Sequence, residues 1–171
     1  SLHANVAEDE SAMLANVDGV VICTPTDTHE ALITRAVQAG VPVFCEKPVA
    51  LDLAATRRVV QLVEDRAAIV QIGIQRRFDA GYRAARAAVA QDAMGRIYTV
   101  RIAGHDPAPP AESYIPTSGG IFRDLHIHDF DIARWVLGQE IVEVYAQGAV
   151  RVDDMFARHG DVDTIVGTLT F

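Results

Sequence analysis

The chain has 171 residues, of which 50% are hydrophobic and 22% are charged. This composition is typical of a globular protein and excludes a disordered or fibrous chain. The formal net charge is -8, and adjacent basic residues occur only at Arg57-Arg58 and Arg76-Arg77. We therefore do not expect nucleic acid or an anionic membrane to be the main partner. With no apolar stretch of bilayer length and no secretory pattern at the start, we expect a soluble cytoplasmic protein.

Short apolar runs alternate with amphipathic segments through the first part of the chain. The runs GVVIC (19–23), VPVFC (41–45) and AAIVQIG (67–73) have the pattern of strands buried on both faces of a parallel sheet. A helix is predicted after each of the first two strands. The first begins with Asp27 and Glu30 at capping-box spacing and ends at Gly40. The apolar stripes of the two helices are Leu32, Ile33, Ala36 and Val37, then Ala55, Val59, Leu62 and Val63. Consecutive right-handed βαβ units predict a doubly wound parallel sheet.

After residue 75 the pattern changes. A helix is predicted over 79–91, and the segments 96–103, 141–150 and 162–171 alternate apolar and polar residues at period two. This favours an α+β domain with a predominantly antiparallel sheet that is packed on one face. The segment PAPPAESYIPTSGG (107–120) is too rich in Pro, Ser and Gly for regular structure, and we interpret it as a functional loop.

The two cysteines, Cys23 and Cys45, each end an apolar run. Free cysteine is among the most buried residue types, so both are predicted to be core residues. Nothing in this pattern indicates an oxidising compartment.

The stretch GGIFRDLHIHDFDIARW (119–135) concentrates histidine and aspartate and at first suggests a metal site. The apolar residues from Leu125 onward keep helical spacing, however, and residues two apart on a helix point roughly 200° away from each other. His126 and His128 are therefore not expected to share one ion. Asp124 and His128, four apart, are predicted to lie on one helix face. They form either an acid/base pair or, equally well from spacing alone, a helix cap beside a packed histidine.

Two further motifs follow the ends of predicted strands, where ligands bind in doubly wound sheets. In FCEKP (44–48), Lys47 is either a hydrogen-bond donor to a substrate oxygen or a solvated surface residue, and the Lys47–Pro48 bond is a candidate cis peptide. In TPTDTH (24–29), the hydroxyls and helix-entry amides either line a cofactor or simply cap the helix.

Four motifs in this order, CTPTDTH, CEKP, GIQRRFD and GGIFRDLHIHDFD, resemble the glucose-fructose oxidoreductase and inositol dehydrogenase family of NAD(P)-dependent oxidoreductases. The resemblance implies that 1–75 is the C-terminal part of a dinucleotide-binding Rossmann domain. It implies that 76–171 is the N-terminal part of a substrate-binding and oligomerisation domain of α+β type. The implied reaction is hydride transfer between nicotinamide, as NAD or NADP, and a secondary hydroxyl of a cyclic polyol or sugar, with an inositol as first candidate. A homo-oligomer, dimer or tetramer, is implied for the intact protein.

By the same resemblance, Lys47, Asp124 and His128 are the catalytic residues, and no metal is expected. His128 takes the hydroxyl proton, Asp124 orients that hydroxyl, and Lys47 contacts it from the nicotinamide side. These roles suit the chemistry, since hydride leaves a carbinol carbon only as the hydroxyl proton is lost to a base and the alkoxide is stabilised. The implied cofactor contacts are Thr24, Pro25, His29, Glu46, Lys47 and Gln75. The implied substrate contacts are Lys47, Arg76, Tyr114, Asp124 and His128.

The GxGxxG turn of the family and the acidic residue that selects the adenosine ribose do not occur in this sequence. We therefore expect it to be a piece of a longer protein that carries the nicotinamide and substrate side of the site, and the choice between NAD and NADP is not readable from it. Two other functions stay open: a non-catalytic sugar or nucleotide-binding protein of the same fold, and a metal-dependent hydrolase.

The lack of a GxGxxG turn in this sequence leads to a prediction about NAD binding. In this fold the dinucleotide pyrophosphate is held by backbone amides of the Gly-rich turn and the following helix N-terminus. Residues 1–171 alone are therefore expected to bind NAD weakly and to aggregate. Calorimetry with NAD and NADP measures this, and micromolar binding by a monodisperse 171-residue chain would contradict the expectation.

Overall fold

The computed structural model describes residues 5–171, which separate into two compact units. The first unit ends at Gly73 and the second is Ile74–Phe171. Each unit is built from helices and strands around its own sheet, parallel in the first and antiparallel in the second.

The first unit contains a three-stranded parallel sheet. Its helices are α1 (Glu10–Leu14), α2 (His29–Gln38) and α3 (Leu53–Asp65), and its strands are β1 (Val20–Ile22), β2 (Val43–Glu46) and β3 (Val70–Gly73). The strand order is β1-β2-β3, with Ile22 opposite Cys45 and Glu46 opposite Gly73. This alternation of strand and helix confirms the predicted doubly wound fold, with the strands shorter than predicted.

The core of the first unit lies between the sheet and α2. Ile33, Ala36 and Val37 are buried against Val43 and Cys45, and Val59 of α3 joins the same cluster. The predicted stripe of α2 is therefore confirmed at these three positions. Asp52 is the N-cap of α3, and its side chain accepts a hydrogen bond of 2.8 Å from the backbone N–H of Ala55.

The start of α2 differs from the prediction. A 3-10 turn at Thr26–Thr28 precedes the helix, whose cap residue Thr28 makes no side-chain capping bond. The predicted capping box of Asp27 and Glu30 is therefore wrong, because Asp27 lies inside the 3-10 turn and the Glu30 carboxylate accepts from Arg58 Nε at 2.8 Å instead.

The two cysteines also differ from one another. Cys45 is fully buried, as predicted, whereas Cys23 is exposed because it lies just past the end of β1. Burial, with smaller contributions from Glu46 and Cys23, raises the pKa of Cys45 to about 12, so this thiol stays protonated and unreactive at neutral pH.

The second unit contains five helices among its described residues and one antiparallel pair of strands. The helices are α4 (Ala80–Ala90), α5 (Ile115–Ser118), α6 (Ile121–Asp124), α7 (Ile127–Leu137) and α8 (Met155–Arg158). The strands are β4 (Glu143–Ala149) and β5 (Thr164–Thr170). Helix α4 packs against α7, where the Arg86 guanidinium lies 4.4 Å from the centre of the Trp135 ring.

Three predictions for this unit are corrected. The segment 96–103 is not a strand, since it pairs with no strand in the part of the chain that the structure describes. Residues 107–120 contain a 3-10 turn and α5 rather than irregular loop alone. Both faces of β4 are exposed, as the consecutive residues Val144 and Tyr145 show at 58% and 68%, so the face that was expected to pack is not covered.

The left-handed backbone of Gly40 at the end of α2 leads to a prediction about stability. Gly40 has φ of +76°, and the N–H of Val41 donates to the carbonyl of Ala36 at 3.0 Å across it. Gly40→Ala is expected to lower the free energy of unfolding by about 1 kcal/mol, since a side chain strains this left-handed position. Denaturant unfolding measures the change. Gly19→Ala is the control, because its new Cβ would meet only the Pro42 carbonyl at 3.6 Å, and an equal loss in both variants would contradict the argument.

Candidate functional site

Two turns follow neighbouring strands at the carboxyl edge of the parallel sheet. The turn after β1 carries Thr24 and Pro25, both exposed, and the turn after β2 carries Lys47 beside Glu46, both half-buried. The Lys47–Pro48 peptide bond is cis, as the sequence allowed. Four of the predicted cofactor contacts thus lie at the edge where ligands bind in this type of sheet.

The turn after β1 is held by its own hydroxyl groups. The hydroxyls of Thr24 and Thr28 are 2.6 Å apart, and Thr28 also donates to the carbonyl of Pro25 at 2.7 Å. These bonds link residues three and four positions apart and hold the turn in which Pro25 is exposed.

His29 lies between the turn after β1 and the turn after β2. Its side chain is buried, with 1% exposed, and its two ring nitrogens lie 2.7 Å from the carbonyl oxygen of Pro48 and 2.9 Å from that of Thr24. Both ring nitrogens therefore face backbone carbonyls, and the cofactor contact implied for His29 stays a prediction. Gln75, the remaining predicted contact, is exposed at the start of a 3-10 turn (Gln75–Phe78) in the second unit.

The backbone carrying Asp124 and His128 is broken where a continuous helix was predicted. Asp124 ends α6 and His128 is the second residue of α7, with Leu125 and His126 between the helices. The break is a local widening of the helix, in which the His126 N–H donates to the Ile121 carbonyl five residues back at 3.1 Å. The prediction of one continuous helix is therefore wrong, whereas the shared face of the Asp124 and His128 side chains stays a prediction.

Helix α6 begins in a tight junction with a distant segment. Gly120 has φ of +85°, and a Cβ at this position would lie only 3.2 Å from a carboxylate oxygen of Asp161. The same carboxylate accepts from the N–H groups of Ile121 and Val162 at 3.3 and 2.8 Å. Asp161 thus caps the helix that carries Asp124, a role that no local sequence pattern indicated.

Tyr114 and Asp124 are brought together, as the resemblance implied for the substrate side. The Tyr114 hydroxyl donates to an Asp124 carboxylate oxygen at 3.0 Å. Burial, together with the neighbouring charge of Asp124 and the hydrogen bond to it, raises the pKa of Tyr114 to about 12. The phenol therefore remains a donor through the physiological pH range.

A cavity of about 570 Å³ within the second unit is lined by this pair. Its wall also includes His105, Asp106, His126 and Asp161, so several hydrogen-bonding groups lie within a mostly apolar lining. His128 is buried, with 7% exposed, and does not line the cavity. The volume is in the range of small-molecule sites.

The arginine pair of the GIQRRFD motif is engaged by α7. Arg76 forms an ion pair with Asp129, and the Nδ1 of His126 lies 2.9 Å from the same carboxylate. Arg77 forms an ion pair with Asp131, with 2.8 Å between Nε and one carboxylate oxygen. The two aspartates of HDFD thus hold the arginines, and a substrate contact by Arg76 remains a proposal.

Residues 5–171 contain neither a metal-binding cluster nor a membrane-spanning helix. No three His, Cys, Asp or Glu side chains in this range are grouped so as to hold a metal ion. No helix in the same range is both long and apolar enough to cross a bilayer.

Comparison with known proteins gives two family matches that together cover most of the chain. Residues 1–74 match the oxidoreductase family with an NAD-binding Rossmann fold, and residues 82–171 match the GFO/IDH/MocA C-terminal domain.

Individual relatives agree with these matches. The chain is 44% identical to a myo-inositol 2-dehydrogenase of Thermotoga maritima, over 91% of this chain and 47% of that protein. It is 46% identical to an inositol 2-dehydrogenase of Rhizobium meliloti, over 88% of this chain and 46% of that protein. The chain therefore spans about half the length of these curated relatives.

One similar solved structure is a scyllo-inositol dehydrogenase from Lactobacillus casei, described with bound NAD(H) and scyllo-inositol. The TM-score is 0.77 and the identity 35%, over 95% of this chain and 50% of that one. The matched domains, the parallel sheet with its CEKP turn and the antiparallel unit with its GG-x-x-x-D segment lead to one conclusion: the chain belongs to the GFO/IDH/MocA family of oxidoreductases.

Proposed function

We propose that the full-length protein containing this chain is an NAD(P)-dependent dehydrogenase that oxidises a secondary hydroxyl of a cyclic polyol or sugar, with an inositol as the first substrate to test. The observation that carries the proposal is the cavity of the second unit, in which the Tyr114–Asp124 pair meets further acidic side chains. Carboxylates accept hydrogen bonds from hydroxyl groups and repel anions, so this wall suits a neutral polyhydroxylated ligand.

The residues at the sheet edge fit a nicotinamide cofactor. Exposed Thr24 and Pro25 and half-buried Glu46 and Lys47 lie at the carboxyl ends of adjacent parallel strands. These residues would hold the nicotinamide half of NAD(P), whose chemistry when bound is the acceptance of a hydride. Membership of a family with an NAD-binding Rossmann fold supports this assignment.

We assign the catalytic roles to three side chains. Lys47 donates a hydrogen bond to the reacting oxygen and stabilises negative charge that develops there. His128 accepts the hydroxyl proton, which lets the carbon–hydrogen bond break towards the acceptor. Asp124, with the Tyr114 hydroxyl bound to it at 3.0 Å, orients that hydroxyl. Family resemblance supports these roles, and Arg76 and Tyr114 are kept as substrate contacts.

The test of the function is a dehydrogenase screen of the purified full-length protein. NAD and NADP are offered with inositols and aldoses, and absorbance of the reduced nicotinamide is followed. Turnover of an inositol with either cofactor supports the proposal. Tight binding of cofactor or sugar without any turnover would replace it with a non-catalytic binding function.

Variants of Lys47 and His128 test the assigned roles. Lys47→Ala and His128→Ala are each expected to lower kcat by on the order of 10² or more, through loss of a donor or a general base. Asp124→Asn should lose less, since an amide still hydrogen-bonds a hydroxyl. Arg57→Ala and His159→Gln serve as controls. Arg57 is exposed on α3, and His159 is exposed beside Glu112 and does not line the cavity. A variant of Lys47 or His128 that changes only KM would remove that residue from the chemistry.

The Tyr114–Asp124 contact gives a prediction about pH. Because the pKa of Tyr114 is raised in the fold, this tyrosine stabilises the folded state fully below about pH 10. That stabilisation is lost as the pH rises towards 12, where the folded tyrosine ionises. In Asp124→Asn its pKa should fall but stay above the ordinary value, since burial is the largest cause.

Ultraviolet titration of tyrosine ionisation measures this shift, and Tyr114→Phe identifies the signal. Tyr145 is largely exposed and provides the reference. An unchanged Tyr114 titration in Asp124→Asn would show that the two side chains do not interact in solution.

A further inference from the structure

His29 occupies an unusual position between the two turns of the sheet edge. It is the first residue of α2 and is buried, while the carbonyls that its ring meets belong to Thr24, after β1, and Pro48, after β2. Thr24 and Pro48 are 24 positions apart in sequence, yet one side chain touches both. Pro48 follows Lys47 directly, so the ring is one residue away from the proposed donor.

The hydrogen-bond chemistry of this contact is restrictive. A carbonyl oxygen only accepts, and a neutral imidazole donates from just one of its two nitrogens. The two ring nitrogens lie 2.7 Å from the Pro48 carbonyl oxygen and 2.9 Å from that of Thr24, so the imidazole bridges the two turns whichever nitrogen is the donor.

We propose that His29 is a positioning residue for Lys47, and that its buried ring clamps the Thr24 turn to the Lys47–Pro48 turn by lying at hydrogen-bond distance from a backbone carbonyl of each. This inference rests on the proposed function, because Lys47 has a reaction to support only in a dehydrogenase. The clamp acts at the backbone: with the Pro48 carbonyl held, the main chain of Lys47 has a fixed position relative to the turn after β1. A polar donor displaced by about 1 Å can cost on the order of 10²-fold in rate.

The parallel register makes the clamp effective. Ile22 and Cys45 are directly paired, so β1 and β2 enter their turns side by side. Beyond the last strand residues no ladder hydrogen bond joins the two turns, and the His29 ring supplies the connection at that level. The hydroxyl bonds of Thr24 and Thr28 stiffen only the first turn, so they do not substitute for it.

The first experiment reads the ring directly. Nitrogen-15 NMR of the full-length protein, labelled at histidine, reports the protonation of each ring nitrogen, and His29→Phe identifies the signal. A ring N–H of His29 that is buried and bound to a backbone carbonyl is expected to exchange with water slowly. Exchange at the rate of an exposed histidine would overturn the clamp. This readout does not depend on turnover, so it remains decisive if the wild-type protein proves to be no dehydrogenase.

The second experiment is a double-mutant cycle on kcat. His29→Phe keeps a ring of similar shape, removes both ring nitrogens and is expected to lower kcat at least tenfold with a small change in KM. In a Lys47→Ala background the same substitution should have little further effect, because its influence passes through Lys47. His29→Gln, which keeps one donor group, should fall between wild type and His29→Phe.

Ile33→Val separates positioning from general stability. Ile33 is fully buried on the same helix and contacts the core, so this variant should lower Tm and leave kcat unchanged. If His29→Phe lowers Tm but keeps wild-type kcat, or if its effect on kcat adds fully to that of Lys47→Ala, the positioning role is wrong. If His29→Phe fails to fold, the cycle is carried out with His29→Gln and the same two outcomes decide it.

Discussion

Parallel pairing of β1 with β2 is the interaction on which the first unit depends. Parallel strands cannot be joined by a tight hairpin, so the chain must return through a helix, and α2 covers the sheet with Ile33, Ala36 and Val37 as it does so. The same pairing brings the carboxyl ends of both strands to one edge. The polar turns that follow them therefore become neighbours although they are far apart in sequence, and the apolar core underneath keeps them there.

In the second unit, ion pairs with arginine distinguish the aspartates from one another. Asp129 and Asp131 are paired with Arg76 and Arg77, whereas Asp124 accepts a hydrogen bond from the hydroxyl of Tyr114 on the cavity wall. Both oxygens of Asp129 meet Arg76 or His126, and both oxygens of Asp131 meet Arg77, so these carboxylates have less accepting capacity left for a ligand. The arginines thus determine which acidic groups of the GGIFRDLHIHDFD motif remain suited to a ligand.

The sequence was sufficient for the parts of the fold that depend on local pattern and burial. Apolar runs such as GVVIC predicted strands because both faces of a parallel sheet are covered, and Gly40 predicted the end of α2 because only glycine adopts its backbone conformation cheaply. The motifs also predicted that Tyr114 and Asp124 belong to one region. What local pattern could not supply was a partner: the segment 96–103 alternates like a strand, but alternation describes faces and not pairing.

Other differences have local causes. The break between α6 and α7 depends on one backbone bond that skips a residue, and helical spacing is the same with or without it. Cys23 followed an apolar run but lies one residue beyond the strand, where the side chain is no longer covered. The bridging position of the His29 ring, in contrast, depends on the Pro48 carbonyl 19 residues away, which no local pattern indicates.

The junction of Gly120 with Asp161 has a consequence for how such a protein can diversify. The backbone of α6 is anchored from behind by a carboxylate 40 residues downstream, not by the segment that precedes it. Residues 104–110, which line the cavity and are exposed, are free of that anchor. Substitutions in that rim can therefore change the shape of the cavity while Asp124 keeps its place in the fold.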